Sequence, residues 1–181
     1  MDDGHSETVR YKLDQLRSFL AQAPPGAVVE AGVYWGGTLE LLAEWAGDRP
    51  VYGYDTFAGM PPHCELDNFM RAGMYQCDYG EVAARLARFK NVTLVQGRYP
   101  GSDHINPSPV ALAHVDVDLY TSTYEAINHL WPLMAAGGRL YCDDALHPAC
   151  DGATLALCRV ACEKGVPFRV EGDTAHTYFQ F

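Results

Sequence analysis

The chain has 181 residues, 48% of them hydrophobic, and its 13 Lys and Arg against 23 Asp and Glu give a formal net charge of −10. This length suits one domain with a substantial core, and the charge argues against nucleic-acid phosphates or an anionic membrane surface as partners. No run approaches the roughly 20 apolar residues of a membrane span, and the N-terminus lacks a secretory signal, so we expect a cytoplasmic protein.

The first predicted element is an N-terminal helix within residues 1–25. Val9, Leu13, Leu16 and Leu20 recur at helical spacing after Ser6, which is a potential cap. The sequence APPG then closes the segment. Only about 25 residues therefore precede the first predicted strand.

Predicted strands and helices alternate along the rest of the chain. The strands cover residues 26–33, 50–57, 91–97, the segment that holds Asp116, 138–144, 166–172 and 176–181; the helices cover 38–46, 80–89, 123–131 and 152–164. Ser122 with Glu125 predicts a capping box for the helix at 123–131, and Gly137-Gly138 predicts its end. The alternation predicts one α/β domain, residues 1–181, with a largely parallel sheet between helices.

A glycine-rich turn follows the first predicted strand in the sequence VEAGVYWGG. Gly32 and Gly36 allow the backbone to turn tightly beside a ligand, and Asp55 ends the second strand, where an acid can bind the hydroxyl groups of a ribose. Together they predict an adenosine-containing cofactor. NAD is disfavoured because the sequence lacks G-x-G-x-x-G, and Glu30 ahead of the turn fits a cofactor with an amino acid and a sulfonium.

Four aspartates follow two other predicted strands. Asp116 and Asp118 are two residues apart, so on an extended chain their side chains leave one face about 7 Å apart. Asp143 and Asp144 end the later strand. Carboxylates alone favour a hard ion, above all Mg²⁺, with Mn²⁺ or Ca²⁺ as substitutes, which would make a substrate hydroxyl more acidic. The alternative is that these acids only cap a segment or end their strands in solvent.

The proton acceptor has two candidates. Asp118 is the first, as a carboxylate not needed for the ion, and His147 is the second because an imidazole titrates near neutral pH. His114 alternates with Asp116, but we expect it to be a hydrogen-bonded core or rim histidine. The six Cys residues form no C-x-x-C pair, which favours buried, reduced thiols.

Several of these motifs together resemble a known family. GVYWGG resembles the first motif of class I S-adenosylmethionine (SAM) methyltransferases, and with DTFAGMP, DVDLYTST and GGRLYCDDA it resembles the macrocin O-methyltransferase family, which methylates sugar hydroxyls of macrolide and aminocoumarin antibiotics. The resemblance implies a Rossmann-like three-layer fold whose seven-stranded sheet ends in an antiparallel strand. It also implies Asp116, Asp143 and Asp144 as Mg²⁺ ligands and Asp118 as base. The predicted cofactor-binding residues are Glu30, Gly32, Tyr34, Gly36, Asp55, Thr56, Gln96, Gly97 and Asp116.

The predicted function is methyl transfer from SAM to a hydroxyl group of a sugar or another polyhydroxylated secondary metabolite. A catechol acceptor is a variant, because two adjacent oxygens could bind one ion. The sequence also leaves open an NAD(P)-dependent oxidoreductase and a catalytically silent relative that binds SAM. Residues 58–80 form a candidate lid. This lid and the N-terminal region are shorter than is usual in the family, so a homodimer could complete the enclosure.

Overall fold

The fold is built on a seven-stranded sheet in the computed structural model, which describes residues 7–62, 66–67, 69–101, 107–171 and 176–181. The strands are β1 (Ala27–Ala31), β2 (Val51–Asp55), β3 (Val92–Gln96), β4 (Val110–Val115), β5 (Met134–Cys142), β6 (Arg169–Glu171) and β7 (His176–Gln180). The helices are α1 (Glu7–Gln22), α2 (Gly37–Ala46), α3 (Tyr79–Leu86), α4 (Tyr120–Leu130) and α5 (Asp151–Lys164), and a 3₁₀ turn spans Trp131–Leu133.

The strand order is β3-β2-β1-β4-β5-β7-β6. Strands β1 to β5 pair in parallel, whereas β7 runs antiparallel to both β5 and β6. This confirms the predicted sheet, including its antiparallel last strand. The order reverses between β1 and β4, and in open α/β sheets a ligand crevice lies at such a point.

Apolar residues on the two faces of the sheet form two separate clusters. Neighbouring strand residues alternate between them: Val28 and Leu112 pack with α1, α2 and α3, whereas Val29 and Ala113 pack with α4 and α5. This is the alternation that parallel strands need when helices cover both faces. Among the helices described here, none is both long enough and apolar enough to cross a bilayer.

The boundaries of α4 differ from the prediction. Ser122 is buried within the helix, so the predicted capping box with Glu125 is wrong. The helix starts earlier because Asp67 Oδ1 accepts the N–H of Tyr120 at 2.9 Å, a tertiary cap that local spacing does not reveal.

Gly137-Gly138 does not end the helical segment, which is also a correction. Both glycines lie inside β5, and Pro132 in the 3₁₀ turn precedes that strand. A Cβ on Gly138 would lie 2.9 Å from the carbonyl oxygen of Ala135 and 3.1 Å from that of Ala111. Gly138 therefore serves close strand packing.

The cysteine prediction is correct only in part. Cys77, Cys142 and Cys150 are buried free thiols, but Cys158 and Cys162 are exposed. The latter two lie on α5, whose outward positions face solvent. Cys64 is outside the described residues, as is the predicted Ser6 cap.

Candidate active site

A cavity of about 590 Å³ lies at the carboxyl ends of the parallel strands. It is at the point where the strand order reverses, and segments following β1 through β5 contribute to its wall. Of the predicted site residues, its lining includes Glu30, Gly32, Tyr34, Asp55, Thr56, Gly97, Asp116, Asp118, Asp143, Asp144 and His147. The fold therefore brings both predicted sets, cofactor and acidic, into one cavity.

Gly32 allows the first turn to form beside β4. Its φ is +93°, and a Cβ there would lie 1.7 Å from the carbonyl oxygen of Asp116. Any larger residue would force β1 and β4 apart. Gly36 has a φ of +79° and lies in the turn directly before α2. It does not line the cavity, so it shapes the turn rather than contacting a ligand.

Asp55 binds the backbone of this turn. Its Oδ2 accepts the N–H groups of Val33 at 2.9 Å and Tyr34 at 2.7 Å, and its Oδ1 accepts that of Phe57 at 2.8 Å. The predicted ribose-binding acid thus also fixes the shape of the loop. Next to it, the Thr56 hydroxyl donates to the carbonyl oxygen of Gly59 at 3.0 Å.

Two neighbouring residues at the end of β3 differ in their position relative to the cavity. Gly97 lines the cavity and donates its N–H to the carbonyl oxygen of Asp55 at 2.8 Å. Gln96 is exposed and is not part of the cavity lining. Gly97, rather than Gln96, is therefore placed to contact a ligand.

Glu30 is buried at the base of the cavity, with 1% of its surface exposed. Its Oε1 lies 2.8 Å from Nδ1 of His114, which is fully buried on the adjacent strand. Burial raises the pKa of Glu30, although His114 opposes the effect. Burial alone would lower the pKa of His114, but Asp143 and Glu30 raise it to about 10. The predicted core histidine is confirmed, and this buried pair lies next to Asp143.

Asp118 does not continue the extended strand that the D-x-D spacing suggested. Strand β4 ends at Val115, and Asp118 has a left-handed backbone with φ 58°. Its N–H donates to Oδ2 of Asp144 at 2.7 Å, which holds this conformation. Asp116 and Asp118 still line the same cavity, but a turn rather than strand alternation places them there.

The four aspartates have different acidities. Burial raises the pKa of Asp116 and Asp144, and nearby carboxylates add to the effect. Burial, followed by the charge of Asp116, raises the pKa of Asp118 to about 7. For Asp143, burial acts in the same direction, but His114 and Lys12 outweigh it and hold the pKa below its usual range. Close buried carboxylates therefore need positive charge here.

Lys12 supplies part of that charge, and its role was not among the predictions from sequence. Its Nζ lies 2.8 Å from Oδ2 of Asp143 and 3.8 Å from Oδ2 of Asp116. These carboxylates raise the pKa of Lys12, although burial alone would lower it. Lys12 is four residues before Leu16 and eight before Leu20, and both leucines are buried. That helical spacing was the available signal for its inward position.

Donor atoms near the acids form two compact groups in the part of the chain that the structure describes. One consists of His114, Asp116 and Asp143, the other of Asp118, Asp144 and Cys150, and the atoms of each group lie within 4.8 Å of one another. The Cys150 thiol was not predicted as a site residue, yet it lines the cavity. Exposed His147 lines it too, with Nδ1 3.7 Å from Sγ of Cys150.

The described part of the 58–80 segment lies over this end of the cavity. Met60 and Met70 pack with Leu119 and line the wall, as does Tyr75. The ring of Tyr75 meets that of Tyr34 edge-on, with centroids 5.5 Å apart. Residues 63–65 and 68 of the predicted lid are outside the described residues, and movement of the segment stays a prediction.

Two curated proteins are similar to this chain in sequence. Mycinamicin III 3''-O-methyltransferase of Micromonospora griseorubida is 30% identical over 155 residues, covering 75% of this chain and 61% of that protein. The 8-demethyl-8-(2,3-dimethoxy-alpha-L-rhamnosyl)-tetracenomycin-C 4'-O-methyltransferase of Streptomyces olivaceus is 31% identical over 165 residues, covering 78% and 63%. The chain thus spans less than two thirds of these curated relatives.

A solved structure and a family model complete the comparison. The crystal structure of a calicheamicin methyltransferase superposes with a TM-score of 0.83, covering 97% of this chain and 80% of that one. At 22% identity, this likeness shows a common fold. The macrocin O-methyltransferase (TylF) family model matches residues 3–159. The chain belongs to the macrocin O-methyltransferase family.

Proposed function

We propose that the protein is a SAM-dependent, divalent-metal-dependent O-methyltransferase in which residues 1–181 form one domain. Its acceptor is a hydroxyl group of a sugar or other polyhydroxylated secondary metabolite. This is supported by the curated relatives, which are named as O-methyltransferases of mycinamicin III and of a rhamnosyl-tetracenomycin C. The observation that carries the proposal is the meeting of the turn at Gly32, Asp55 and the four aspartates in one cavity.

The part of the cavity after β1, β2 and β3 suits SAM. Because Gly32 has no side chain, backbone forms the cavity wall at that point. Asp55 and Gly97 also line the cavity, and we assign them to the ribose and the adenine of SAM. When bound, SAM supplies the methyl group from a sulfonium centre. Asp55 keeps the N–H groups of Val33 and Tyr34 in fixed positions, so this wall is organised before the ligand arrives.

The part after β4 and β5 suits a divalent ion. Asp116, Asp143 and Asp144 line it, and burial raises the pKa of Asp116 and Asp144, with nearby carboxylates adding to the effect. These three residues would hold Mg²⁺, which supplies positive charge that makes a nearby hydroxyl group more acidic. Lys12 neutralises only part of this charge.

Asp118 is the proposed general base. Without an ion in the cavity, burial and then the charge of Asp116 raise the pKa of Asp118 to about 7. A nearby divalent ion would favour the ionised carboxylate, which is the form that accepts the hydroxyl proton. The hydrogen bond from its backbone N–H to Oδ2 of Asp144 holds Asp118 beside the proposed ion ligands. His147 is the alternative base because it lines the same cavity.

Metal removal and ligand titration test this function. Activity is expected to vanish with EDTA and return with Mg²⁺, and calorimetry is expected to show binding of SAM but not of NADH. Preference for NADH would instead support an oxidoreductase, and SAM binding without any methyl transfer would support the silent relative. A screen of glycosides and catechols separates the two acceptor classes.

A homodimer could complete the enclosure of the acceptor. Tyr34, Trp35 and Tyr75 are each about two fifths exposed beside the cavity, at 41%, 40% and 45%. A second subunit could cover them and complete the acceptor site. Light scattering of the purified protein measures its oligomeric state. A fully active monomer would contradict the homodimer.

A further inference from the structure

Tyr75, in the 58–80 segment, has a backbone conformation that tyrosine rarely adopts. Its φ is 61°, in the left-handed region where a residue with a Cβ is strained. Such strain concentrates at functional sites, because it persists only where neighbouring contacts enforce it. Two other non-glycine residues of the described chain share this conformation and line the same cavity, namely Tyr34 and Asp118. The strain at Tyr75 therefore points to a use for its side chain in the cavity.

Close backbone contacts within the same segment hold Tyr75 in place. The N–H of Met60 donates to the carbonyl oxygen of Met74 at 2.8 Å, and the N–H of Gly73 donates to that of Met60 at 2.9 Å. Gly59 permits this approach, because a Cβ there would lie 2.6 Å from the carbonyl oxygen of Gly73. The chain is thus fixed immediately before Tyr75, so the fold sets the direction of its side chain.

The side chain of Tyr75 lies between the part of the cavity after β1 and the part after β4. Its ring meets that of Tyr34, in the turn after β1, edge-on at a centroid distance of 5.5 Å. Burial raises the pKa of its hydroxyl group, and the negative charge of Asp118 in the same cavity adds to the effect. The residue is 45% exposed, so a ligand in the cavity can reach the ring. An acceptor held between the methyl donor and the base would meet it.

An aromatic ring at this place suits a saturated sugar. The face of an aromatic ring carries partial negative charge, and the axial C–H groups of a pyranose form a face with partial positive charge. The equatorial hydroxyl groups extend from the edge of the sugar instead. A sugar packed on Tyr75 therefore keeps these hydroxyl groups free for Asp118 and for the proposed ion.

We propose that the ring of Tyr75 binds the apolar face of the acceptor's sugar and holds one hydroxyl group of that sugar towards Asp118. This rests on the proposed function and assigns an acceptor-binding residue to it. The ring, rather than the phenol hydroxyl, supplies the affinity. Tyr75 is then a specificity-determining residue, and its strained backbone is the cost of presenting the ring to the sugar.

Binding of simple glycosides to the loaded full chain tests the proposal. The protein is saturated with S-adenosylhomocysteine, the product of methyl transfer, and with Mg²⁺, and is titrated with methyl α-L-rhamnoside, methyl α-D-glucoside and methyl β-D-xyloside. Nuclear magnetic resonance measures the affinity of the best-bound glycoside and the shifts of its protons. The protons on one face of the sugar are expected to shift upfield, because they lie over an aromatic ring.

Variants at Tyr75 are expected to separate the ring from the hydroxyl group. Tyr75→Ala is expected to weaken binding of this glycoside about tenfold and to abolish the upfield shifts, since the ring is lost. Tyr75→Phe is expected to keep the shifts and an affinity within about threefold of the wild type, because the ring stays. Tyr79→Ala is the matched control, since Tyr79 is 36% exposed and is not part of the cavity lining.

Tyr75→Gly separates ligand binding from a structural role and replaces Tyr75→Ala if that variant does not fold. Glycine adopts the left-handed conformation without strain, which offsets the lost ring contact with Tyr34. The free energy of unfolding is therefore expected to stay near that of the wild type, while the glycoside binds about tenfold more weakly. S-adenosylhomocysteine and metal affinities are expected to stay unchanged in every variant.

The outcomes separate this inference from the proposed function. Unchanged glycoside affinity in Tyr75→Ala and Tyr75→Gly overturns the role of Tyr75, while methylation of the glycoside by the wild type leaves the function intact. An equal loss of S-adenosylhomocysteine affinity assigns the ring to the cofactor, and dissociation of a dimer in light scattering assigns it to a subunit interface; either result overturns the proposal. A wild type that neither binds nor methylates any of the three glycosides removes the sugar acceptor, and the inference with it.

Discussion

The two halves of the cavity satisfy their polar groups in opposite ways. In the half after β1 to β3, the carboxylate of Asp55 is surrounded by backbone N–H donors. In the half after β4 and β5, the carboxylates lie close to one another, and their described ion pairs involve Lys12 and His114. The first half is therefore complete within the fold, whereas the second needs additional positive charge. Substitutions in the two halves should have different consequences.

The largest effect is expected from Asp118→Asn in the acidic half. Loss of the general base should slow methyl transfer by about 10² to 10⁴, while SAM and metal affinities stay nearly unchanged. The residual rate should increase with pH as hydroxide replaces the base. Turnover assays with paired calorimetry measure both quantities. Full turnover in Asp118→Asn, with loss of turnover in His147→Ala, would assign the proton to His147.

Removing a ligand charge in the same half is the next largest change. Asp143→Asn and Asp144→Asn should each lower metal affinity by about tenfold or more, because a neutral amide replaces an anionic ligand. SAM affinity, measured without metal, should hardly change in either variant. Equal metal affinity in the wild type and both variants would contradict the placement of the ion.

In the cofactor half, Asp55→Ala should weaken SAM binding about 10- to 100-fold. The loss of one hydrogen bond to a charged acceptor costs about 1.5 to 3 kcal/mol. Because Asp55 also binds the turn backbone, the variant should lose stability without any ligand. Calorimetry and thermal unfolding measure the two effects. Unchanged SAM affinity, or NAD binding tighter than SAM binding, would remove the cofactor assignment.

Lys12→Met should lower the stability of the metal-free protein and increase its affinity for the metal. Without metal, the free energy of unfolding should decrease by about 1.5 to 3 kcal/mol, since Asp143 loses a charged partner. Metal affinity should increase, because the ammonium no longer competes for the same carboxylates. Lys90→Met, at an exposed lysine, is the matched control. If Lys12→Met has the same free energy of unfolding and the same metal affinity as this control, Lys12 has no role in the site.

The last prediction concerns pH. The pKa of Asp118 is raised from 3.8 to about 7, so its proton stabilises the folded state. That contribution is fully present below the ordinary pKa and is lost as pH increases towards 7. In EDTA, the wild type should therefore lose more stability than Asp118→Asn between pH 4.5 and pH 7.5. Denaturant unfolding at both pH values measures this, and parallel losses would count against the raised pKa.

The sequence was sufficient for the fold and for most of the cavity wall. Hydrophobic runs and glycine positions determine the parallel sheet, and the carboxyl ends of its strands bring Asp55, Asp116 and Asp143 to one edge. Helical spacing indicates that Lys12 faces inward, but neither its contact with the acids nor the start of α4 could be predicted from such patterns. Lys12 reaches the acids through packing of α1, and the first N–H of α4 bonds to Asp67, far away in the sequence. Both depend on tertiary contacts between distant segments.

We expect the acidic half to require a divalent ion for methyl transfer and the cofactor half to bind SAM without one. The most direct measurement titrates SAM into EDTA-treated protein by calorimetry and follows methyl transfer to a glycoside acceptor in the same sample before and after adding Mg²⁺ or Mn²⁺. We predict that SAM binds in EDTA and that turnover begins only when the metal is added. Full turnover in EDTA, unchanged by added metal, would contradict the account.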